Sequence, residues 1–424
     1  MIKNITLLLL AVTFCSSCVK EIKEEPEKKE TLKKQDVVLT DEQLKEKADS
    51  IAKNIIIVDT HIDVPYRLNI KWEDVSDSTS GGEFDYPRAV KGGLNAAFMS
   101  IYTPPHLEGT GRSKKLAEKL ISDVEKIINE HPDKFAPAYS PSDILKQFNK
   151  VISLPMGMEN GSPIEGNLEN LKYFYDRGIR YITLAHGKAN HICDSSYDPN
   201  KKWNGLSPFG EKVVKEMNRL GIMVDVSHIS DSAFYDVIKI SEVPVIASHS
   251  SCRHFTPGYE RNMSDEMMKV LAENGGVIQI NFGSSFLKED IYKRTNEITN
   301  YISNYIRENN LSKEEARNFR NQYSKNNHPG YANVKDVVAH INHVVKIAGI
   351  DHVGLGSDFD GLGDSLPEGL KDVSNYPNLI YELLKAGYTD NDIEKICSGN
   401  ILRVWKEVEQ YANKINSTHS VVTN

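Results

Sequence analysis

Eight short runs of β-branched and other apolar residues alternate with longer amphipathic stretches along most of this 424-residue chain. The runs that we predict to be strands are Ile55–Asp59, Ala96–Ile101, Val151–Met158, Tyr181–Leu184, Met223–Val226, Val245–Ser248, Val277–Asn281 and Val353–Ser357. Strands that alternate with helices form parallel sheets, because each parallel connection has to cross back over the sheet. Eight such units predict an α/β fold, namely a (β/α)8 TIM barrel.

One interval departs from this rhythm. Between the seventh and eighth predicted strands lies a charged, asparagine-rich stretch with helical character, residues 288–327. It has too few apolar residues for a core of its own, which argues against a separate small domain. We therefore expect a single domain over residues 37–424, with a helical insertion on the outside of the barrel or over its mouth.

The amino terminus has the pattern of an export signal. Lys3 precedes the apolar run Ile5–Phe14, which is too short for a membrane-spanning helix of about 20 residues. Small residues just before Cys18 suit cleavage there, so residues 1–17 resemble a bacterial lipoprotein signal peptide, although Cys15 stands where Leu is usual. We expect lipid on Cys18 to anchor the exported protein to a bacterial membrane, facing the periplasm or the surface. The alternative is an ordinary secretory peptide.

Composition restricts the partners of the chain. Residues 18–36 carry many charges of both signs and no apolar periodicity, which predicts a flexible, solvated tether. The whole chain has 51 basic and 59 acidic residues and no Lys/Arg-rich block, so we expect no nucleic-acid partner. Beyond the signal, Cys193, Cys252 and Cys397 are too few and too widely spaced for a disulfide framework, and we expect buried free thiols.

Chemistry-bearing side chains follow six of the eight predicted strands. They are His61 and Asp63 after the first strand, then Glu159, His186, His228, His249 and Asp358. The carboxyl ends of all strands in a TIM barrel meet at one face, where active sites lie. Imidazoles and carboxylates without thiolates suit an open catalytic site for zinc or a similar divalent ion. A lone histidine at a strand end is more often structural, but convergence from six strands predicts a metal site.

The number of candidate ligands predicts two ions. One catalytic zinc takes about three protein ligands, whereas His61, Asp63, Glu159, His228 and His249 make five. His61 and Asp63 are two apart in an extended segment, so both can hold the same ion. We expect two ions that share Glu159 as a bridge and hold a hydroxide between them, which attacks a polarised carbonyl.

Ordered blocks along almost the whole mature chain resemble the membrane dipeptidases, the renal dipeptidase or M19 peptidase family. The blocks are Val58–Pro65, Gly157–Pro163, Arg180–His186 with Asp194-Ser195, Asn204–Val226, Asp225–Ser230, Val245–Arg253, Glu260–Glu266, Ile350–Gly361 and Gly399–Val404. The resemblance implies a zinc-dependent dipeptidase. It further implies that His61, Asp63 and Glu159 hold one zinc ion. The other would be held by Glu159, His228 and His249.

The resemblance also implies roles for three residues that would contact substrate. His186 would lie beside the scissile carbonyl and stabilise the oxyanion. Arg261 would bind the terminal carboxylate of a dipeptide, a pairing that guanidinium geometry favours. Asp358 would carry the proton from the attacking water to the leaving amine. Family members are commonly dimers, so a homodimer is an expectation as well.

The chain departs from the family pattern at a few positions. Thr60 and Ile62 stand where Gly and Asn are frequent, and Asn160 stands where Gly is frequent; none of these is a presumed ligand. His191 and His254, in loops near the expected mouth, are further candidates for substrate contact. Asn281 and Asp360 are candidates for the lining of the pocket.

Two other hypotheses stay open at this point. A different two-metal barrel hydrolase, acting on cyclic amides or lactones, would use His-x-His on the first strand and a modified lysine as the bridge. This chain has His61-x-Asp63 and Glu159 instead. A lipoprotein that binds peptides without catalysis would have no need for the complete ligand set together with Asp358.

Overall fold

The computed structural model describes residues 39–422. The predicted signal peptide, Cys18 and the tether lie outside this range. Within it the strands are β1 (Ile57–Ile62), β2 (Leu94–Tyr102), β3 (Phe135–Ala136), β4 (Ile152–Ser153), β5 (Met156–Glu159), β6 (Ile179–Thr183), β7 (Met223–Asp225), β8 (Ile246–Ser250), β9 (Val277–Ile280) and β10 (Val353–Leu355). All of their pairings are parallel.

Eight of these strands form a closed barrel. They pair in the order β1, β2, β5, β6, β7, β8, β9 and β10. The ring closes where the segment after β10 meets β1, because Asp358 N–H donates to the carbonyl of His61 at 3.0 Å. Asp63 N–H donates in turn to the carbonyl of Phe359 at 2.8 Å. The predicted α/β barrel is therefore confirmed.

Each of the eight predicted strands is present, and the third differs most from its prediction. The run Val151–Met158 is divided into β4 and β5 around Pro155, which has no N–H to donate to a ladder. Only β5 belongs to the barrel ring, whereas β4 pairs with β2 at one position and with β3 on its other side. The strand β3 has two residues and is too short to leave a pattern in the sequence.

Helices connect and cover the strands. Those of the described chain are α1 (Asp41–Asn54), α2 (Val64–Ile70), α3 (Tyr86–Gly92), α4 (Ser113–Glu130), α5 (Pro141–Gln147), α6 (Glu169–Asp176), α7 (Pro208–Leu220), α8 (Asp231–Ile240), α9 (Asp265–Glu273), α10 (Ser284–Leu287), α11 (Glu289–Glu308), α12 (Lys313–Asn326), α13 (Val334–Ala348), α14 (Tyr376–Lys385), α15 (Asp390–Glu394) and α16 (Asn400–Val422). Ser207, Ser230 and Ser264 cap α7, α8 and α9 by accepting a backbone N–H three residues further on. None of the helices just given is long and apolar enough to cross a membrane.

The interior of the barrel is filled, so the chemistry is confined to its mouth. Inward side chains such as Phe98, Tyr181 and Ile246 are fully buried and pack with Trp405 of α16. The ring centroids of Phe98 and Trp405 are 5.3 Å apart. A filled interior of this kind is usual for TIM barrels. Cys193, Cys252 and Cys397 are buried free thiols.

Two helices occupy the stretch that breaks the βα rhythm. The helices α11 and α12 pack through aromatic pairs, with the rings of Tyr305 and Phe319 4.1 Å apart and those of Tyr301 and Tyr323 4.5 Å apart. No side chain of α12 is buried. This helical pair thus has no core of its own, and Ile291, Ile298 and Ile302 of α11 are its buried side chains.

Candidate metal centre and substrate cleft

The carboxylate of Glu159, the last residue of β5, lies at the centre of the barrel mouth. Its Oε1 is 3.0 Å from Nε2 of His228 and 3.3 Å from Nε2 of His249. The same oxygen is 3.5 Å from Nε2 of His186. The other oxygen, Oε2, is 3.6 Å from Nε2 of His61. Strand ends that are far apart in the sequence therefore direct their imidazoles at one carboxylate.

The first group of possible ligands consists of Glu159, His228 and His249. The two Nε2 atoms are 2.8 Å apart, and each is within 3.3 Å of Glu159 Oε1. Ligand atoms on a tetrahedral zinc ion, at about 2.0–2.1 Å from the metal, are separated by about 3.3 Å. These three side chains fit one cation with only small adjustments.

The second group consists of His61, Asp63 and Glu159. Nε2 of His61 is 3.5 Å from Oδ2 of Asp63 and 3.6 Å from Oε2 of Glu159. His61 Nε2 and Asp63 Oδ1 are buried without a hydrogen-bond partner among the described residues. Buried polar atoms are nearly always paired, so a cation here would satisfy both. Asp358 also has an oxygen within 4.8 Å of ligand atoms of His61 and Asp63.

Hydrogen bonds behind the histidines turn their Nε2 atoms towards Glu159. Tyr181 donates its hydroxyl to the carbonyl of Thr60 at 3.0 Å, so His61 Nδ1, 2.8 Å away, is the donor to the tyrosine oxygen. Likewise Ser248 donates to Asp225, which leaves Nδ1 of His249 to donate to Ser248 at 2.8 Å. Nδ1 therefore carries a proton in both rings, which leaves Nε2 as the atom that can bind a metal.

Electrostatics favour the ligand forms of these groups. Burial opposes ionisation of Glu159, but the charges of His186 and His61 outweigh it and hold its pKa well below its usual range. Burial, together with the positive charge of Arg261, lowers the pKa of both His228 and His249 well below the usual value. At His61 burial opposes the charged form, but Tyr181, Glu159 and Asp63 outweigh it and raise the pKa well above its usual value. The centre therefore holds an ionised carboxylate beside neutral imidazoles at His228 and His249, and a cation bound by His61 would displace a proton.

His186 lies at the edge of the centre. Its side chain is 24% exposed, so it faces the cleft while its Nε2 remains near Glu159. The ring packs against Tyr102, with centroids 4.8 Å apart. Burial lowers the pKa of His186, against the pull of Glu159, so the neutral imidazole can donate a hydrogen bond to a ligand in the cleft.

Asp358 follows β10 and enters the mouth from the opposite side. Burial, together with the charges of Asp63 and Glu159, raises its pKa well above the usual value. A Cβ atom at Gly361 would lie 2.2 Å from Asp63 Oδ2 and 2.5 Å from Asp358 Oδ1, so only glycine leaves room for both carboxylates. A buried carboxylate with a raised pKa is a stronger base than an ordinary aspartate, which suits it to acid–base work.

The structure places Arg261 behind the imidazoles. It is 3% exposed, donates to Ser250 Oγ at 2.6 Å and to the carbonyl of His249 at 2.7 Å, and has Nη2 3.1 Å from His228 Nε2. Arg261 is not among the residues that line the cleft. Its Nε is buried without a hydrogen-bond partner in the described chain, so this N–H is the group left for an anion.

Left-handed backbone conformations occur at three of the strand ends. Asn160 has φ +78°, His228 +69° and Asp358 +65°. Residues other than glycine rarely adopt such φ values, and those that do are concentrated at functional sites. The φ of Asn160 also explains one departure from the family pattern, because Asn, like Gly, tolerates this conformation.

The metal centre opens into a cleft of about 1430 Å³. Its floor is formed by Asp63, Glu159, His186, His228 and Asp358. One face of α11 and one face of α12 form a wall, with Ile291, Thr295, Ile298, Thr299, Ile302 and Ser303 from the first and Arg320, Asn321, Ser324 and Lys325 from the second. The helical pair thus lies at the mouth and takes part in shaping the cleft.

Two of the remaining candidates lie at the cleft or next to its lining, and two lie away from it. Asp360 lines the cleft, and Asn281 bonds to Asp358. His191 bonds to Glu108 at 2.8 Å, and His254 stacks on another histidine; neither lines the cleft.

The sequence analysis did not identify Tyr181, which orients His61. The sequence feature that could have indicated this role is a tyrosine at an inward position of a barrel strand, because a buried hydroxyl there needs a hydrogen-bond partner.

One family model and several solved structures are similar to this chain. The model of that family, membrane dipeptidase (peptidase family M19), matches residues 45–419. The probable dipeptidase PvdM from Pseudomonas aeruginosa is 27% identical, with a TM-score of 0.78 over 88% of this chain and 100% of that chain. A metallo peptidase from Rhodobacter sphaeroides, solved with a phosphinate mimic of the dipeptide L-Ala-D-Ala, has a TM-score of 0.69 at 23% identity, over 84% of this chain and 99% of that chain.

Proposed function

The chain belongs to the membrane dipeptidase family, peptidase family M19, and is a metallo-dipeptidase; we propose that it hydrolyses dipeptides with a free C-terminal carboxylate at two zinc ions. The observation that carries this proposal is the position of Glu159, whose two oxygens face imidazoles from different strands. One carboxylate between two groups of ligands is what a bridged pair of ions needs.

In this proposal the ligands divide between the two oxygens of Glu159. His61, Asp63 and Glu159 hold one ion, and Glu159, His228 and His249 hold the other. When bound, the two ions would lower the pKa of a water molecule to make it a nucleophile and would polarise the scissile carbonyl. Tyr181 and Ser248 keep His61 and His249 oriented for this task through their Nδ1 atoms.

Asp358 moves the proton. It accepts a proton from the attacking water and gives it to the amine that leaves, a role supported by its raised pKa and its place on the floor of the cleft. His186 donates a hydrogen bond to the carbonyl oxygen as negative charge develops there. Its partial exposure beside Glu159 supports this assignment.

Arg261 selects for the free carboxylate of the substrate. Its guanidinium is fixed by Ser250 and the carbonyl of His249, and the positive charge close to the floor of the cleft attracts an anion. The phosphinate mimic of L-Ala-D-Ala carried by the Rhodobacter sphaeroides relative supports a dipeptide as the substrate class. A glutamate in the central position, instead of a lysine, disfavours the cyclic-amide alternative.

The decisive experiment combines metal analysis with a substrate panel. We expect the purified enzyme to hold about two zinc ions per chain and to cleave L,L or L,D dipeptides, with activity lost to a chelator and restored by zinc. Glu159→Gln should lose both metal and activity, whereas Glu169→Gln, an exposed glutamate at the start of α6, should lose neither. Full turnover by Glu159→Gln would refute the mechanism.

A further inference from the structure

A second group of metal-binding side chains lies outside the catalytic cleft. It consists of His254, in the short 3-10 helix Arg253–Phe255 after β8, Asp265 at the start of α9, and His343 in α13. His343 Nε2 is 2.7 Å from Asp265 Oδ1. One ligand atom from each of the three residues lies within 4.8 Å of the other two. None of them lines the catalytic cleft.

The two imidazoles face one another directly. The rings of His254 and His343 are stacked, with centroids 4.3 Å apart and an angle of 17° between the planes. The hydrogen bond between Asp265 and His343 accounts for only one of the two rings. His254 makes ring contacts with His343 and Phe255, and its side chain has no hydrogen-bond partner among the described residues. An exposed imidazole is thus held against a second imidazole and a carboxylate, with its nitrogen atoms unused.

The segment that carries His254 is held by contacts with α13 and α8. His340, one turn before His343 in α13, accepts the N–H of Cys252 at 3.0 Å, so its other nitrogen donates to the carbonyl of Leu287 at 3.1 Å. Arg253 forms a two-pronged ion pair with Asp231 at 2.6 and 2.7 Å. The chain just before His254 is therefore anchored, which keeps this imidazole close to the other two side chains.

The donor set indicates the class of ligand. Two imidazole nitrogens and one carboxylate oxygen suit a borderline divalent cation such as Zn²⁺ and suit Ca²⁺ or Mg²⁺ poorly, since those ions prefer oxygen ligands. The carboxylate of Asp265 is 41% exposed, which gives a cation a path from solvent. Three protein ligands leave a coordination position for water.

We propose that His254, Asp265 and His343 form a surface site for one zinc-like cation, separate from the catalytic centre. A cation bound there would join three elements, namely the segment after β8, the start of α9 and the middle of α13. One ligand atom from each residue already lies within 4.8 Å of the other two, and the exposed position of His254 leaves its ring room to turn towards a cation.

The test counts zinc ions by difference. Zn²⁺ is titrated calorimetrically into the zinc-loaded enzyme, and bound metal is measured after desalting. We expect the wild type to take up one equivalent more than His254→Ala or Asp265→Asn, or to bind that equivalent at least tenfold more tightly. The matched control is His106→Ala, an exposed imidazole outside the group, which should behave as the wild type does.

Cu²⁺ supplies a spectroscopic check on the ligands. Its electron paramagnetic resonance spectrum should show coupling to two nitrogens in the wild type and not in His254→Ala. His254 is exposed and Ser264 still caps α9 in Asp265→Asn, so both variants should fold with unchanged circular dichroism. Equal zinc uptake, at equal affinity, by all four proteins would overturn the proposal. Because the result is a difference, it does not depend on how many ions the catalytic centre holds.

Discussion

Asn281 donates its side-chain amide to Oδ2 of Asp358 at 2.7 Å, and both residues are buried at the mouth of the barrel. The orientation of this amide is fixed, because its oxygen accepts the N–H of Gly283 at 2.7 Å. One oxygen of Asp358 is therefore occupied, and the other, Oδ1, lies beside Gly361 and Asp63. The pair leaves a single carboxylate oxygen for the proton transfer that we propose for Asp358.

The first prediction separates proton transfer from metal binding. Asp358→Asn should keep its zinc and lose about 10²–10⁴-fold in kcat, the usual range for a general acid–base group. Asn281→Ala should lose less, about tenfold or more, since a hydrogen bond to a charged group is worth about 1.5–3 kcal/mol. Steady-state kinetics and metal content measure both effects. Asp364→Asn, elsewhere in the cleft, is the control, and zinc loss in Asp358→Asn would make Asp358 a ligand.

The second prediction concerns the hydroxyl of Tyr181. Tyr181→Phe removes the acceptor for His61 Nδ1 and should weaken zinc at one of the two positions by about 10–100-fold, as losses of such supporting hydrogen bonds do. Activity should fall at limiting zinc and recover in excess zinc. Tyr376→Phe removes a buried hydroxyl from Asp59 without touching a ligand nitrogen, so it controls for lost stability. Equal zinc affinity in both variants would show that Tyr181 has no orienting role.

The fold was largely predictable, for reasons that particular elements make clear. Buried parallel strands are continuous apolar runs, so β2 and β9 stand out in the sequence. The division at Pro155 depends on which strand pairs with β2, and that is a property of the assembled sheet. The position of α16 is likewise non-local, because nothing near Trp405 in the sequence indicates that it packs against Phe98 inside the barrel.

The candidate site also has a part that the sequence predicts and a part that depends on the assembled fold. Ligand types at strand ends can be identified from sequence, since barrel topology brings those ends together. The tautomer of each imidazole cannot be identified from sequence, because it depends on the hydrogen-bond partner of Nδ1. That partner is Tyr181, from another strand, for His61 and the preceding residue Ser248 for His249. The location of Arg261 beneath His228 and the cleft wall formed by α11 and α12 also depend on long-range packing.

The third prediction tests Arg261 through substrate chemistry. The wild type should cleave a free dipeptide far faster than its C-terminal amide, because the amide cannot form a charge-assisted pair. Arg261→Gln should lower kcat/KM for the free dipeptide by about 10²-fold, the equivalent of about 2.7 kcal/mol, and change the amide much less. Zinc content and circular dichroism establish that the variant folds. Equal wild-type rates on both compounds would remove Arg261 from this role.

The fourth prediction concerns pH and Asp360. Burial raises the pKa of Asp360 to about 8, even though Arg67 Nε is 3.0 Å away, and Glu83 bonds to it. Between about pH 4 and 8 the folded protein thus holds a proton that the unfolded chain has released. The free energy of unfolding should therefore fall as pH rises through this window, by up to about 1.4 kcal/mol per pH unit, and level off above it.

Asp360→Asn should remove this dependence. Urea unfolding of both proteins at pH 5 to 9, with zinc present throughout, gives the difference in stability at each pH. We expect the wild type to lose stability relative to the variant from pH 5 to 8, with no further change at pH 9. A difference that stays constant over the whole range would mean that Asp360 is ionised in the folded protein.

The last prediction concerns Cys18, which lies outside the described residues. Lipid on this cysteine should place the wild type in the membrane fraction. Detergent but not high salt should release it, because buried acyl chains and not surface charges hold such a protein to the membrane. Cys18→Ser should lose incorporation of labelled palmitate and appear in the soluble or secreted fraction. Cys15→Ser is the matched control and should stay anchored. The catalytic centre lies wholly within residues 39–422, so the released variant should keep the kcat of the wild type. Membrane association of Cys18→Ser equal to that of the wild type would exclude a lipid anchor at this position.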